Sequence, residues 1–297
     1  MIRIILIILL YVINGIKGKL NLPEREKTNI ALIGDSNSFR LTVGFEDNLR
    51  CTTTGNEQQA EGRLPRLEYW SRDGQITGVN IHSRDCGGCN SRRADCANKV
   101  SHIEYITMEY VMDTEVSTLR TYWDKTCTAM TTGLLERDVE CYQSITTQEF
   151  LFGEYWNKNE GTCPDIISHI NTAVHDISRF TTDIYRRNVR WFFEVVKYFL
   201  DVYCPNTIYL YSTAGRVNEN HVPDIFKSLT TNAHITEFNN IALEIFNTMN
   251  HERMIFAFDV NAITTAYPDS DYLDAVHLQK HRYNEMAINF LNELSLL

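Results

Sequence analysis

Basic residues are scarce in this 297-residue sequence: 28 lysines and arginines face 38 aspartates and glutamates, leaving a formal net charge of -10. With so few cations the chain has no broad face to neutralise phosphates, which argues against a nucleic-acid partner. Arg186, Arg187 and Arg190 do cluster, but on a predicted amphipathic helix, where they read as a solvated basic face. Long hydrophobic runs are scarce too. The one that stands out, Ile4 to Ile13, falls short of the roughly 20 residues that span a bilayer, and no second stretch approaches that length. Asn-x-Ser/Thr sequons are absent, so N-linked glycans play no part. A second CxxC pair is also missing. Cys86-Gly-Gly-Cys89, with Cys96, His82 and His102 close by, supplies only half of a zinc ribbon, leaving a zinc-stabilised extracellular module as the weaker reading of these residues.

What is present at the N-terminus has the layout of a secretory signal. Met1-Ile2-Arg3 is a basic start, the apolar run follows, and small Gly15 and Gly18 precede the polar stretch Lys19 to Thr28. Residues 1–18 are therefore expected to be a signal peptide, or else a retained signal-anchor. Eight cysteines (Cys51, Cys86, Cys89, Cys96, Cys127, Cys141, Cys163 and Cys204) agree with an oxidising compartment and predict disulfides of unspecified pairing. The mature chain, 19–297, is expected to be one soluble secreted domain, meeting a membrane only if the signal segment is kept.

Asn29 to Ile33 reads as a buried strand stopped by Gly34. From about 41 to 148 the texture changes to cysteines, glycines and threonines with short strand-like pieces such as Ile103 to Met112, as expected of an irregular disulfide-stapled insertion. Regular alternation then resumes. Strands are predicted over Pro164–Ile170, Thr207–Ser212 and Met254–Val260. Helices are predicted from Thr182 or Asp183 to about Tyr203, from Asn232 to Asn250, and from Gln279 to Leu294. The stretch Asn171 to Asp176 reads as a turn. This pattern predicts an α/β three-layer sandwich around a mainly parallel sheet, whose chemistry collects at the carboxyl ends of the strands.

Gly34-Asp35-Ser36 sits at such an end. A serine needs a base to become nucleophilic, and the base needs an orienting carboxylate. Asp274-Ala-Val-His277, in the loop before the last predicted helix, offers both at a spacing that lets the carboxylate accept from the imidazole Nδ1–H. Either motif alone is common. Their joint placement, after the first strand and before the last helix, is what points to Ser36, His277 and Asp274 acting together.

The pair resembles the SGNH/GDSL hydrolase superfamily, with a Gly-Asp-Ser nucleophile block and a late DxxH block, and within it the secreted or Golgi PC-esterase group. The resemblance implies an SGNH-like fold and a serine esterase or acyltransferase. It would act on acyl esters, commonly acetyl groups on carbohydrate, through an acyl-enzyme, with no cofactor and no metal. It also implies Ser36 as nucleophile, His277 as general base and Asp274 as its orienter. The family's third block, Gly-x-Asn-Asp, corresponds to Asn171-Thr-Ala-Val-His175-Asp176, where Ala173 replaces Gly and His175 replaces the oxyanion-donating Asn. His175 or Asn171 could donate in its place; Asp35 joins them among the oxyanion and substrate-binding candidates. Gly55, Gly74 and Gly78 are the candidates for the second-block glycine. The altered third block also leaves a catalytically inactive secreted binding protein as the alternative function.

Overall fold

The structure, a computed structural model, describes residues 27–56, 68–70, 76–79, 92–97, 99–107, 163–177, 180–202 and 204–296. The apolar run at its start forms β1 (Thr28–Gly34), and its alternate side chains enter two different cores. Ile30 and Leu32 face one, Ala31 and Ile33 the other. A strand buried on both faces needs a neighbouring strand on each side of it and helices above and below.

That is what surrounds it. β1 leads into α1 (Ser36–Leu49), followed by β2 (Thr52–Asn56), β5 (Arg92–Asp95), β6 (Val100–Thr107) and a separate two-stranded sheet of β3 (Glu68–Trp70) and β4 (Ile76–Val79). The second half alternates: β7 (Ile166–Ile170), the short α2 (Ala173–Asp176), α3 (Thr182–Val202), β8 (Ile208–Ser212), α4 (Asn232–Met249), β9 (Met254–Phe258), α5 (Val260–Thr265) and α6 (Lys280–Glu293). The main sheet runs β2-β5-β6-β1-β7-β8-β9. β6, β1, β7, β8 and β9 are parallel, while β2 and β5 add antiparallel pairs at one edge. This is the expected α/β three-layer sandwich.

The aromatic stripe of α3 supplies Phe192, Phe193 and Phe199, which pack with Phe238 and Phe246 of α4 and with Tyr209 and Tyr211 of β8. On the opposite face Leu41 and Phe45 of α1 meet Met286, Ala287 and Phe290 of α6. Helix ends are set locally. The Thr231 side chain accepts from the His234 N–H to start α4, and Arg50 and Asn250 end α1 and α4 in left-handed conformations.

The expected insertion at 41–148 is narrower than its texture suggested. Residues 41–49 complete α1, and β2, β5 and β6 are three of the seven strands of the main sheet. Apolar side chains at helical spacing (Leu41, Phe45, Leu49) carry α1 into the core. The stretch read as a turn contains the single-turn helix α2. Two disulfides form among the described residues, Cys51–Cys96 and Cys163–Cys204. The first removes Cys96 from the zinc reading, since its sulfur is already bonded. Cys86, Cys89, Cys127, Cys141, His82, Gly74 and the 1–18 segment lie outside the described residues, as does 108–162. Among the described residues no helix is long and apolar enough to cross a membrane, and no cluster of three metal-ligating side chains occurs.

Candidate active site

The serine turn is built by backbone sterics. Gly34 ends β1 at φ 146°, and a Cβ there would lie 2.2 Å from Ser38 Oγ, so only glycine fits. Asp35, 1% exposed, caps α1: its Oδ1 accepts from the Asn37 N–H at 2.8 Å. From β6, the buried Tyr105 hydroxyl lies 3.0 Å from both the Gly34 and Asp35 carbonyl oxygens and donates to them. Ser36 is thereby held at the N-terminus of a helix, where backbone N–H groups lack helical acceptors and the dipole favours negative charge.

The histidine comes from the loop between α5 and α6. A bridge between Tyr272 and Leu278 and a hydrogen bond from the Leu273 N–H to the His277 carbonyl (2.8 Å) close this loop on itself. Asp274 Oδ1 accepts from the N–H groups of Val276 and His277, both at 2.8 Å. The Asn218 N–H, from the loop after β8, donates to the Ala275 carbonyl at 2.8 Å. The other carboxylate oxygen, Oδ2, is 2.7 Å from His277 Nδ1, and His277 Nε2 is 2.7 Å from Ser36 Oγ. Partial burial pushes the Asp274 carboxyl up, but hydrogen bonds from the His277 ring and from the two backbone N–H groups outweigh it, holding the group below the usual carboxylate range. An ionised Asp274 assigns the Nδ1–H tautomer, leaving the Nε2 lone pair for the serine proton.

The third-block residues separate. Asn171, 2% exposed, is committed to the interior. Its Nδ2 donates to Asn239 Oδ1 (3.0 Å) and its Oδ1 accepts from the Tyr185 hydroxyl (2.8 Å), so its amide belongs to a structural network. His175 stays at the mouth, its side chain 28% exposed and its Nε2 3.6 Å from Asp35 Oδ2. Asp35 itself is taken up in capping. Of the second-block candidates, Gly55 lies on β2, separated from β1 by two strands, and Gly78 lies on β4 in the separate sheet. Sequence reasoning missed Tyr105 and Tyr283. The second lies six residues past His277 on α6, and its hydroxyl donates to Asn37 Oδ1 at 2.6 Å. No local motif marks either tyrosine, because both act across long sequence distances.

No family model matches the chain, and no curated protein matches it. Among solved structures, the chain is similar to a protein described as a GDSL-like lipase from Parabacteroides merdae: 14% identity, TM-score 0.43, 93% of this chain and 99% of that one. It is also similar to a catalytic mutant of an acetylxylan esterase from Geobacillus stearothermophilus: 15% identity, TM-score 0.34, 91% and 95%. A carbohydrate esterase gives 12% identity, TM-score 0.42, 93% and 67%. With TM-scores below 0.5, none of these likenesses bears on what this chain acts on.

Proposed function

We propose that this protein is a serine ester hydrolase in which Ser36, His277 and Asp274 form the catalytic triad. The observation that carries the reading is the unbroken hydrogen-bond chain from Ser36 Oγ through the His277 ring to Asp274, each link 2.7 Å. The Ser36 hydroxyl attacks the ester carbonyl carbon while its proton passes to His277 Nε2. The tetrahedral intermediate collapses, the C–O bond to the alcohol breaks, and His277 returns the proton to the departing oxygen. Water, activated by the same imidazole, then releases the acid from acyl-Ser36. A sugar hydroxyl in place of water would make the protein an acyltransferase. The negative charge that develops on the carbonyl oxygen would be met by the Ser36 backbone N–H and by His175; removal of such a donor typically costs about 10²–10³ in rate.

The substrate class follows from the resemblance to PC-esterases: acyl esters, chiefly acetyl, on small molecules or carbohydrate. The reading includes export, with residues 1–18 as the signal and the Golgi lumen as the alternative location if that segment is retained. The test is labelling with a fluorophosphonate probe alongside hydrolysis of 4-nitrophenyl acetate. Ser36→Ala and His277→Ala should each abolish turnover, their double variant should be no worse, and Asp274→Asn should keep a small residue. His175→Ala should slow turnover about 100-fold. Parent protein that neither reacts with the probe nor turns over esters would be a binding protein that kept the fold.

A further inference from the structure

Ser36 and His277 are 241 residues apart in sequence, and each sits on a different element. What keeps them 2.7 Å apart is therefore tertiary, and one side chain reaches both sides. Tyr283, on the first turn of α6, is 3% exposed. Its hydroxyl donates to Asn37 Oδ1 at 2.6 Å and accepts from the Leu278 N–H at 3.2 Å. Asn37 follows the nucleophile directly, and Leu278 follows the base directly. The approach that makes this possible occurs at Gly44, where an added Cβ would lie 2.9 Å from the Tyr283 carbonyl oxygen and 3.1 Å from Ala287 Cβ. Burial pushes the Tyr283 hydroxyl well above its ordinary range, so it keeps its proton and remains a donor at any working pH.

We infer that Tyr283 is a positioning residue that sets the Ser36–His277 geometry through its hydroxyl, by tying the residue after the nucleophile to the residue after the base. It touches neither reacting atom. Its effect is on how much of the time the serine–imidazole hydrogen bond is at attack distance, and displacements of this kind cost rate while leaving substrate affinity almost untouched. The inference rests on the triad reading above.

The experiment is steady-state hydrolysis of 4-nitrophenyl acetate by the full chain. Tyr283→Phe keeps the ring and its packing and removes only the oxygen. It should lower kcat about tenfold with KM within about twofold at a temperature well below the thermal midpoint, lower that midpoint by a few degrees because the buried Leu278 N–H loses its acceptor, and slow fluorophosphonate labelling in proportion to kcat. Asn37→Ala should produce a similar loss, and the double variant should be no slower than the slower single, because both break one link. Unchanged kcat in Tyr283→Phe, or losses that multiply in the double variant, would overturn the inference while leaving the triad standing. Parent protein that shows no Ser36-dependent turnover would sink the triad reading instead and take this inference with it.

Discussion

Two histidines show how surroundings decide what an imidazole does. His277 lies at the surface of the loop, oriented by an ionised Asp274 and aimed at a serine. His169, on β7, is 1% exposed, hydrogen-bonded through Nδ1 to the Tyr209 hydroxyl and packed against Phe192 and Tyr211. Burial pushes it down from 6.5 to about 3. The folded state therefore holds it neutral, while the unfolded chain takes up a proton below 6.5. Stability present above that value is lost as pH falls through the window from 6.5 toward 3. Between pH 7 and pH 5 the parent should lose about 2 kcal/mol more than a His169→Phe variant, measured by denaturant unfolding at both pH values. Equal losses would mean that His169 is protonated in the folded protein. At this scale the serine and DxxH motifs were legible in sequence. The distinction between His175 at the site mouth and Asn171 in the interior was not, since it depends on Tyr185 and Asn239, two side chains from other helices.

Among the elements, the α1–α6 pair matters most for the site, because α1 starts at Ser36 and α6 starts just after His277. At Gly44 the two helices leave no room for a side chain. Gly44→Ala would force the helices apart, and overpacking of this kind typically costs about 1–3 kcal/mol. Thermal denaturation should register the loss. Hydrolysis should fall as well, since the same shift moves Tyr283 away from Asn37; a variant with parental stability and rate would show that the crossing adjusts freely. Most of the elements after 163 were readable from periodicity. Predicted Asn232–Asn250 became α4, and the aromatic stripe of α3 fell at the expected spacing. The first half read poorly. α1 begins with polar Ser36, Asn37 and Ser38, and β2 and β5 carry threonines and arginines, so neither shows the run that marks a buried strand.

For the molecule as a whole, the two described disulfides join segments flanking the sheet. Cys163–Cys204 ties the entry of β7 to the end of α3 over a separation of 41 residues. A loop of that size carries about 4 kcal/mol of unfolded-state restriction in the chain-entropy picture, with measured effects typically 2–4 kcal/mol. The Cys163→Ala/Cys204→Ala variant should lose stability in that range when compared by urea unfolding under non-reducing conditions. A midpoint matching the parent would place the restraint elsewhere. The even cysteine count announced disulfides but not their partners, because pairing depends on which strand ends meet.

The sequence by itself determined the class of fold, the strand that ends at the serine, and the residue types able to form a nucleophile, base and carboxylate set. Those features are local: hydrophobic periodicity, a glycine at a turn, and a three-residue spacing that brings Asp274 onto its own histidine. Only the tertiary structure decided that Ser36 Oγ and His277 Nε2 meet, that Tyr105 and Tyr283 brace the turn, and that Asn171 is withdrawn into a buried amide network. These depend on the order of strands in the sheet and on helices crossing at a position without a side chain. Contacts between residues more than 200 positions apart leave no periodic trace in the chain that makes them.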